Sequence, residues 1–162
     1  MANKRSGISL SPEEIRDYLN EPRALNVATI GPTGHPHIVA MWFGFHGGND
    51  YLTGKLCFWT FAKSQKILNL RRNPIISALV EDGTPEYNKL RGVSVEGTGR
   101  ILEDYDEILE IGRMVGARYS GPGVLTDAAL PFISAQAKKR LGVVIDVERV
   151  VSWDHSKLGG AY

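Results

Sequence analysis

The apolar positions of this chain fall into short runs whose spacing switches between about 2 and about 3.6 residues, the periods of strands and helices. Ser11-Pro12-Glu13-Glu14 predicts the first helix start, because Ser11 suits the cap, Pro12 the first helical position and the carboxylates the positive helix end. The helix is expected to stop near Asn20, before Glu21-Pro22. Alternation of Leu25, Val27 and Thr29 with Asn26, Ala28 and Ile30 predicts a strand over 24–31. Pro32-Thr33-Gly34 turns it into a second strand over 36–45. Beyond the turn at 46–50, an aromatic-rich third strand covers 56–61 and leads into a short helix over 64–72, stopped by Asn73-Pro74. Strands over 75–81 and 92–102 follow. Asp104 is placed to cap a helix bearing Ile108, Ile111 and Val115, which the segment 119–123 breaks. A further helix over 126–140 and a strand over 141–153 complete the pattern.

Six strands joined mostly by turns, with helices that do not alternate one for one, argue for an antiparallel barrel, since parallel neighbours need crossovers. The expected class is α+β, mainly β. The chain reads as one domain over 1–162, with its core at about 24–153, the helix 11–20 before it and a tail over 154–162. Both faces of Met41-Trp-Phe-Gly-Phe45 carry large apolar groups, more than one small barrel interior can bury, so a homodimer is expected.

Composition narrows the partners. With 19 basic and 18 acidic residues the net charge is +1, which gives no global field toward nucleic acid or an anionic membrane. The two basic residues near the start are not followed by an apolar stretch, and no run is long enough to span a bilayer. The single cysteine, Cys57, lies in an apolar strand and suits a reducing cytoplasm, the expected location.

The segment 58–74 is the most informative for chemistry, because it delivers a strand onto a helix N-terminus, where unpaired N–H groups and the macrodipole attract anions. Lys63 and Lys66 flank that end, an arrangement that opposes the dipole unless a bound phosphate reverses the sign. The plainer alternative is two solvated lysines. Arg71 and Arg72 belong at a helix C-terminus for ordinary reasons.

At this segment the chain resembles the flavin/deazaflavin oxidoreductases with a split β-barrel fold, related to pyridoxamine 5′-phosphate oxidase. The matching stretches are Ala28-Thr-Ile-Gly31, Gly34-His-Pro-His37, Met41-Trp-Phe43, Lys66-Ile-Leu-Asn-Leu-Arg-Arg-Asn-Pro74 and Gly92-Val-Ser-Val-Glu-Gly97. The resemblance implies a cofactor in a cleft between subunits. Its ring would lie along the strand with Trp59 and Thr60, bordered by Met41, Trp42 and His37, and its phosphate at Lys63, Ser64 and Lys66. The tail 151–160 is similar to that of the subgroup using the deazaflavin coenzyme F420, which implies Trp153 and His155 beside the ring or substrate. The implied activity is hydride transfer between F420 and an unsaturated or conjugated organic substrate, with FMN as the alternative cofactor. Pyridoxamine phosphate oxidases proper carry arginine and histidine in their C-terminal motif, and here no arginine follows Arg149, which disfavours that substrate.

The same residues admit other readings. His35 and His37 share a strand face, but with His46, His155 and one cysteine they make no zinc spacing, so no metal is expected. Trp42, Trp59 and Trp153 could be plain core, and Gly121 and Gly123 a lid or only a helix break. No Gly-x-Ser-x-Gly elbow, Walker loop or Gly-x-Gly-x-x-Gly after a strand occurs. The barrel could also be a noncatalytic flavin or haem binder.

Overall fold

The computed structural model describes residues 6–159. The expectations for the first five residues and the last three of the tail lie outside the described residues. Helix α1 (Pro12–Asn20) starts on a reciprocal capping box: Ser11 Oγ accepts from the Glu14 N–H, and the Ser11 N–H donates to Glu14 Oε2 at 2.7 Å. Such a cap is worth about 1 kcal/mol. Strands β1 (Leu25–Ile30) and β2 (Pro36–Met41) form the expected hairpin, whose turn needs glycine because Gly34 has φ +85°.

The expected second strand is in fact two. β3 (Gly44–His46) follows β2 after only two residues, yet it pairs with β4 (Lys55–Phe61) while β2 pairs with β1. With α2 (Gln65–Arg72), β5 (Ile75–Glu81), β6 (Arg91–Leu102), α3 (Tyr105–Ser120), α4 (Leu130–Ala137) and β7 (Arg140–Asp154), the elements give a seven-stranded sheet in the order β2-β1-β5-β6-β7-β4-β3, antiparallel throughout. Because β2 and β3 are consecutive in sequence but at opposite ends of that order, the sheet must curl until its edges meet at Trp42 and Phe43. This is a split β-barrel in an α+β chain, and the count is seven strands where periodicity suggested six.

Helix α3 fixes that bend. Tyr119 Oη donates to the Arg23 carbonyl at 2.6 Å and accepts from the Phe43 N–H, while its ring stacks on Trp42 with centroids 4.8 Å apart. Asp104 caps α3 as expected, accepting from the N–H groups of Asp106 and Glu107. The helix expected over 126–140 shortens to Leu130–Ala137, preceded by a 3-10 turn over Pro122–Leu125, and Arg140 opens β7 instead of ending a helix. The cause is pairing: Arg140 and Leu141 are held opposite Phe61 and Thr60. Inside the barrel, Val27, Phe43, Phe58, Ile67, Ile76, Val143 and Ile145 are fully buried. Among the described residues no helix is long and apolar enough to cross a membrane.

Candidate cofactor cleft

Strand β4 alternates its side chains, and Thr60 points inward at the strand end, just before the chain turns into α2. One helical turn later Lys66 returns to the same spot, and its ammonium donates to Thr60 Oγ1 at 2.9 Å. Lys66 is only 7% exposed, and burial lowers its pKa from the ordinary lysine value. A buried ammonium with three donors and one neutral hydroxyl partner has capacity left for an anion. Ser64 strengthens that reading, because it occupies the helix cap without using its hydroxyl to cap, and Thr60 Oγ1 reaches it at 3.4 Å. At this helix start the Ser64 and Ile67 N–H groups donate to the carbonyls of Phe61 and Ser64, and the remaining N–H groups of a first helical turn favour an anion.

A cleft of about 400 Å³ opens in front of this corner, lined by Ala40, Met41, Trp42, Trp59, Thr60, Phe61, Lys66 and Arg140. Helix α3 packs behind Trp59, and Gly112 allows the approach, since a Cβ there would stand 2.6 Å from the indole. The Arg140 guanidinium lies 4.6 Å from the Trp59 ring centroid and 4.3 Å from that of Phe61. A second chamber of about 370 Å³ shares Trp42, Trp59 and Arg140 with the first and continues between α3, α4 and the segment 120–129.

Of the residues singled out from sequence, Met41, Trp42, Trp59, Thr60 and Lys66 line the cleft and Ser64 adjoins it. Lys63 is exposed on the preceding turn. His37 lies outside the cleft; it stands opposite Thr29 on β2, and its buried Nδ1 has no hydrogen-bond partner. Trp153 and His155 lie elsewhere too, in a larger groove of about 680 Å³ between β7 and the segment 8–15. Trp153 packs on Gly92, and His155 Nδ1 is 3.0 Å from the Tyr87 carbonyl oxygen. Arg71 pairs with Glu103, and Arg72 donates to the Ile30 carbonyl and to Asn69, so both serve the helix end. No cluster of three His, Cys, Asp or Glu side chains suited to a metal occurs among the described residues.

Sequence reasoning missed Arg140 and Asn69. Asn69 is fully buried; its Nδ2 donates to Thr29 Oγ1 at 3.0 Å and its Oδ1 accepts from Gln65, tying α2 to β1. A buried-face asparagine in an eight-residue helix was the available signal. For Arg140 none existed without the β4–β7 register.

The profile of the pyridoxamine 5′-phosphate oxidase family matches residues 11–154. The chain belongs to that family. Among solved structures, a conserved hypothetical protein of Mycobacterium tuberculosis is 43% identical with a TM-score of 0.86, over 98% of this chain and 93% of that one. An F420 reductase is 28% identical with a TM-score of 0.64, over 86% of this chain and 98% of that one. The haem storage protein HutZ of Vibrio cholerae, at 16% identity and a TM-score of 0.65 over 87% of this chain and 94% of that one, shares the fold. Among curated protein sequences none matches. Oxidoreductases and flavin-type binders both occur on this barrel, in which Lys66 and Trp59 here line one cleft.

Proposed function

We propose that this chain is a cytoplasmic F420-dependent oxidoreductase that transfers a hydride between the deazaflavin and an unsaturated or conjugated organic substrate. The observation that carries this reading is the buried Lys66 ammonium, held by a single hydroxyl at the start of α2 and facing an aromatic cleft. Lys66, Ser64 and the first N–H groups of α2 suit the phosphate of such a cofactor, with Lys63 adding charge from outside. Trp59, Thr60, Met41 and Trp42 bound the space for a ring. When bound, the deazaflavin supplies the hydride; the residues of this chain bind it, orient it and exclude water. The 28% identity to an F420 reductase favours the deazaflavin over FMN.

A homodimer belongs to this reading. Cross-strand register sets Ala40, Leu79 and Val151 in one row on the outer sheet face, with Ile38 in the next row. Ile38 is 68% and Val151 40% exposed. Packing two copies through this face covers them, and Trp153 and His155 of a second copy then have a cleft to complete. The tail lacks an arginine after Arg149, so pyridoxamine phosphate is not the substrate proposed.

The test is parallel titration of cofactor-free protein with F420, FMN, FAD and haem. F420 is expected to bind with a change in its fluorescence, and Lys66→Ala to weaken it by about 1.5–3 kcal/mol, the range for a charged hydrogen-bond partner. Tight FMN binding with F420 fluorescence unchanged would replace the deazaflavin by FMN. Tight haem binding with neither flavin bound would remove the redox assignment.

A further inference from the structure

The second chamber has a chemistry of its own. Its walls are apolar, from Trp42, Trp59, Val115, Val124 and Ile133, and its polar lining side chains are Ser120, Gln136 and Arg140, with no carboxylate among them. Arg140 stands at the passage into the first cleft, since it lines both. Its guanidinium is stacked against Trp59 and Phe61, and its hydrogen bonds run through one nitrogen to the side chain and carbonyl of the neutral Gln136.

Arg72, Arg113 and Arg118 likewise donate only to neutral groups, but outside the chamber's mouth, whereas several other arginines face acids. Arg23 and Arg91 share Asp82, Arg149 faces Glu96, and Arg71 faces Glu103. Among the described residues Arg140 forms no ion pair. A partly desolvated fork of N–H donors with no counter-ion, at the mouth of an apolar chamber, is matched by a planar anion attached to an apolar body. Lys66 does not compete for this role, because it lines the first cleft and not the chamber.

We propose that the chamber between α3 and α4 binds a flat apolar compound bearing a carboxylate, with Arg140 holding the carboxylate at the passage and the apolar body lodged against Val115, Val124 and Ile133. This deepens the cofactor reading by naming the substrate class: an acid held where its conjugated end borders Trp59. It rests on that reading only for the word substrate, because the binding itself requires no cofactor.

The experiment is isothermal titration of the cofactor-free protein with 2-naphthoic acid and with its neutral counterpart 2-naphthalenemethanol. The acid is expected to bind more tightly than the alcohol. Arg140→Gln should weaken the acid by roughly ten- to a hundredfold and abolish the preference, with Arg140→Lys intermediate. Ala129→Trp, at a half-buried chamber-wall position outside the Lys66 cleft, should block both compounds while leaving phosphate-bearing cofactors able to bind. Equal affinity for acid and alcohol, an unchanged acid affinity in Arg140→Gln, or no binding of the acid to wild type would overturn the proposal. Since F420 and FMN are titrated separately, failure here and failure of the cofactor assignment are told apart.

Discussion

Gly112 and Trp59 are in contact through the absence of a side chain: a Cβ on Gly112 would lie 2.6 Å from Cζ3 of the indole. In an isolated helix, alanine is favoured over glycine by about 0.5–1 kcal/mol. Here the clash should win, because overpacking a buried contact costs about 1–3 kcal/mol. Gly112→Ala is therefore expected to lower the melting temperature and to weaken cofactor binding by displacing Trp59. A more stable variant with unchanged cofactor affinity would show that the indole position is not set from α3.

Lys66 is held at a cost to stability. Burial places its pKa below the ordinary 10.5, so between the folded value and 10.5 the unfolded chain carries more protons than the folded one. Stability then rises with pH across that window, and the penalty is complete below it. Lys66→Met should accordingly stabilise the cofactor-free protein by about 1 kcal/mol at neutral pH while removing phosphate binding. The stability difference should shrink as pH climbs toward 10.5, which paired thermal melts from pH 7 upward will measure. A variant less stable than wild type at pH 7 would mean that the Thr60 hydrogen bond outweighs the desolvation.

Much of this was legible beforehand, and what was not has a common cause. Ser11 and Asp104 announced their helices because capping is local chemistry, and the hairpin turn at Gly34 announced itself for the same reason. The split at Trp42–Phe43 did not, since a run of apolar residues looks identical whether it pairs with one neighbour or changes sheet edges midway. The α4 boundary failed likewise, because the β4–β7 register takes Arg140 into a strand. Lys66 was visible as a charge at a helix start, but its burial was not. Trp153 and His155 are distant in sequence from Lys66 and stay apart from it within one chain, so their expected role depends on a second copy.

Cys57 should be chemically silent. It is fully buried, and burial pushes its thiol up to about 12, leaving almost no thiolate at neutral pH. Native protein held with iodoacetamide at pH 8 is expected to stay unmodified by mass spectrometry, with labelling only after unfolding. Rapid native alkylation would mean that β4 opens readily.

Ile38 reports on association. At 68% exposure it costs a lone copy nothing to replace, so Ile38→Glu should leave the fold intact. In the proposed dimer it buries a charge at the interface. Sedimentation is expected to show a monomer, and the loss of dimer should bring a loss of cofactor affinity. A dimer that survives Ile38→Glu would move the interface to another face.

The most direct measurement is a crystal structure of the protein soaked with F420, or with FMN in its place. Phosphate oxygens are expected within hydrogen-bonding distance of Lys66 Nζ and the first N–H groups of α2, with the ring lying along Trp59. Density for the cofactor in another groove, with the Lys66 ammonium still bonded only to Thr60, would contradict that expectation.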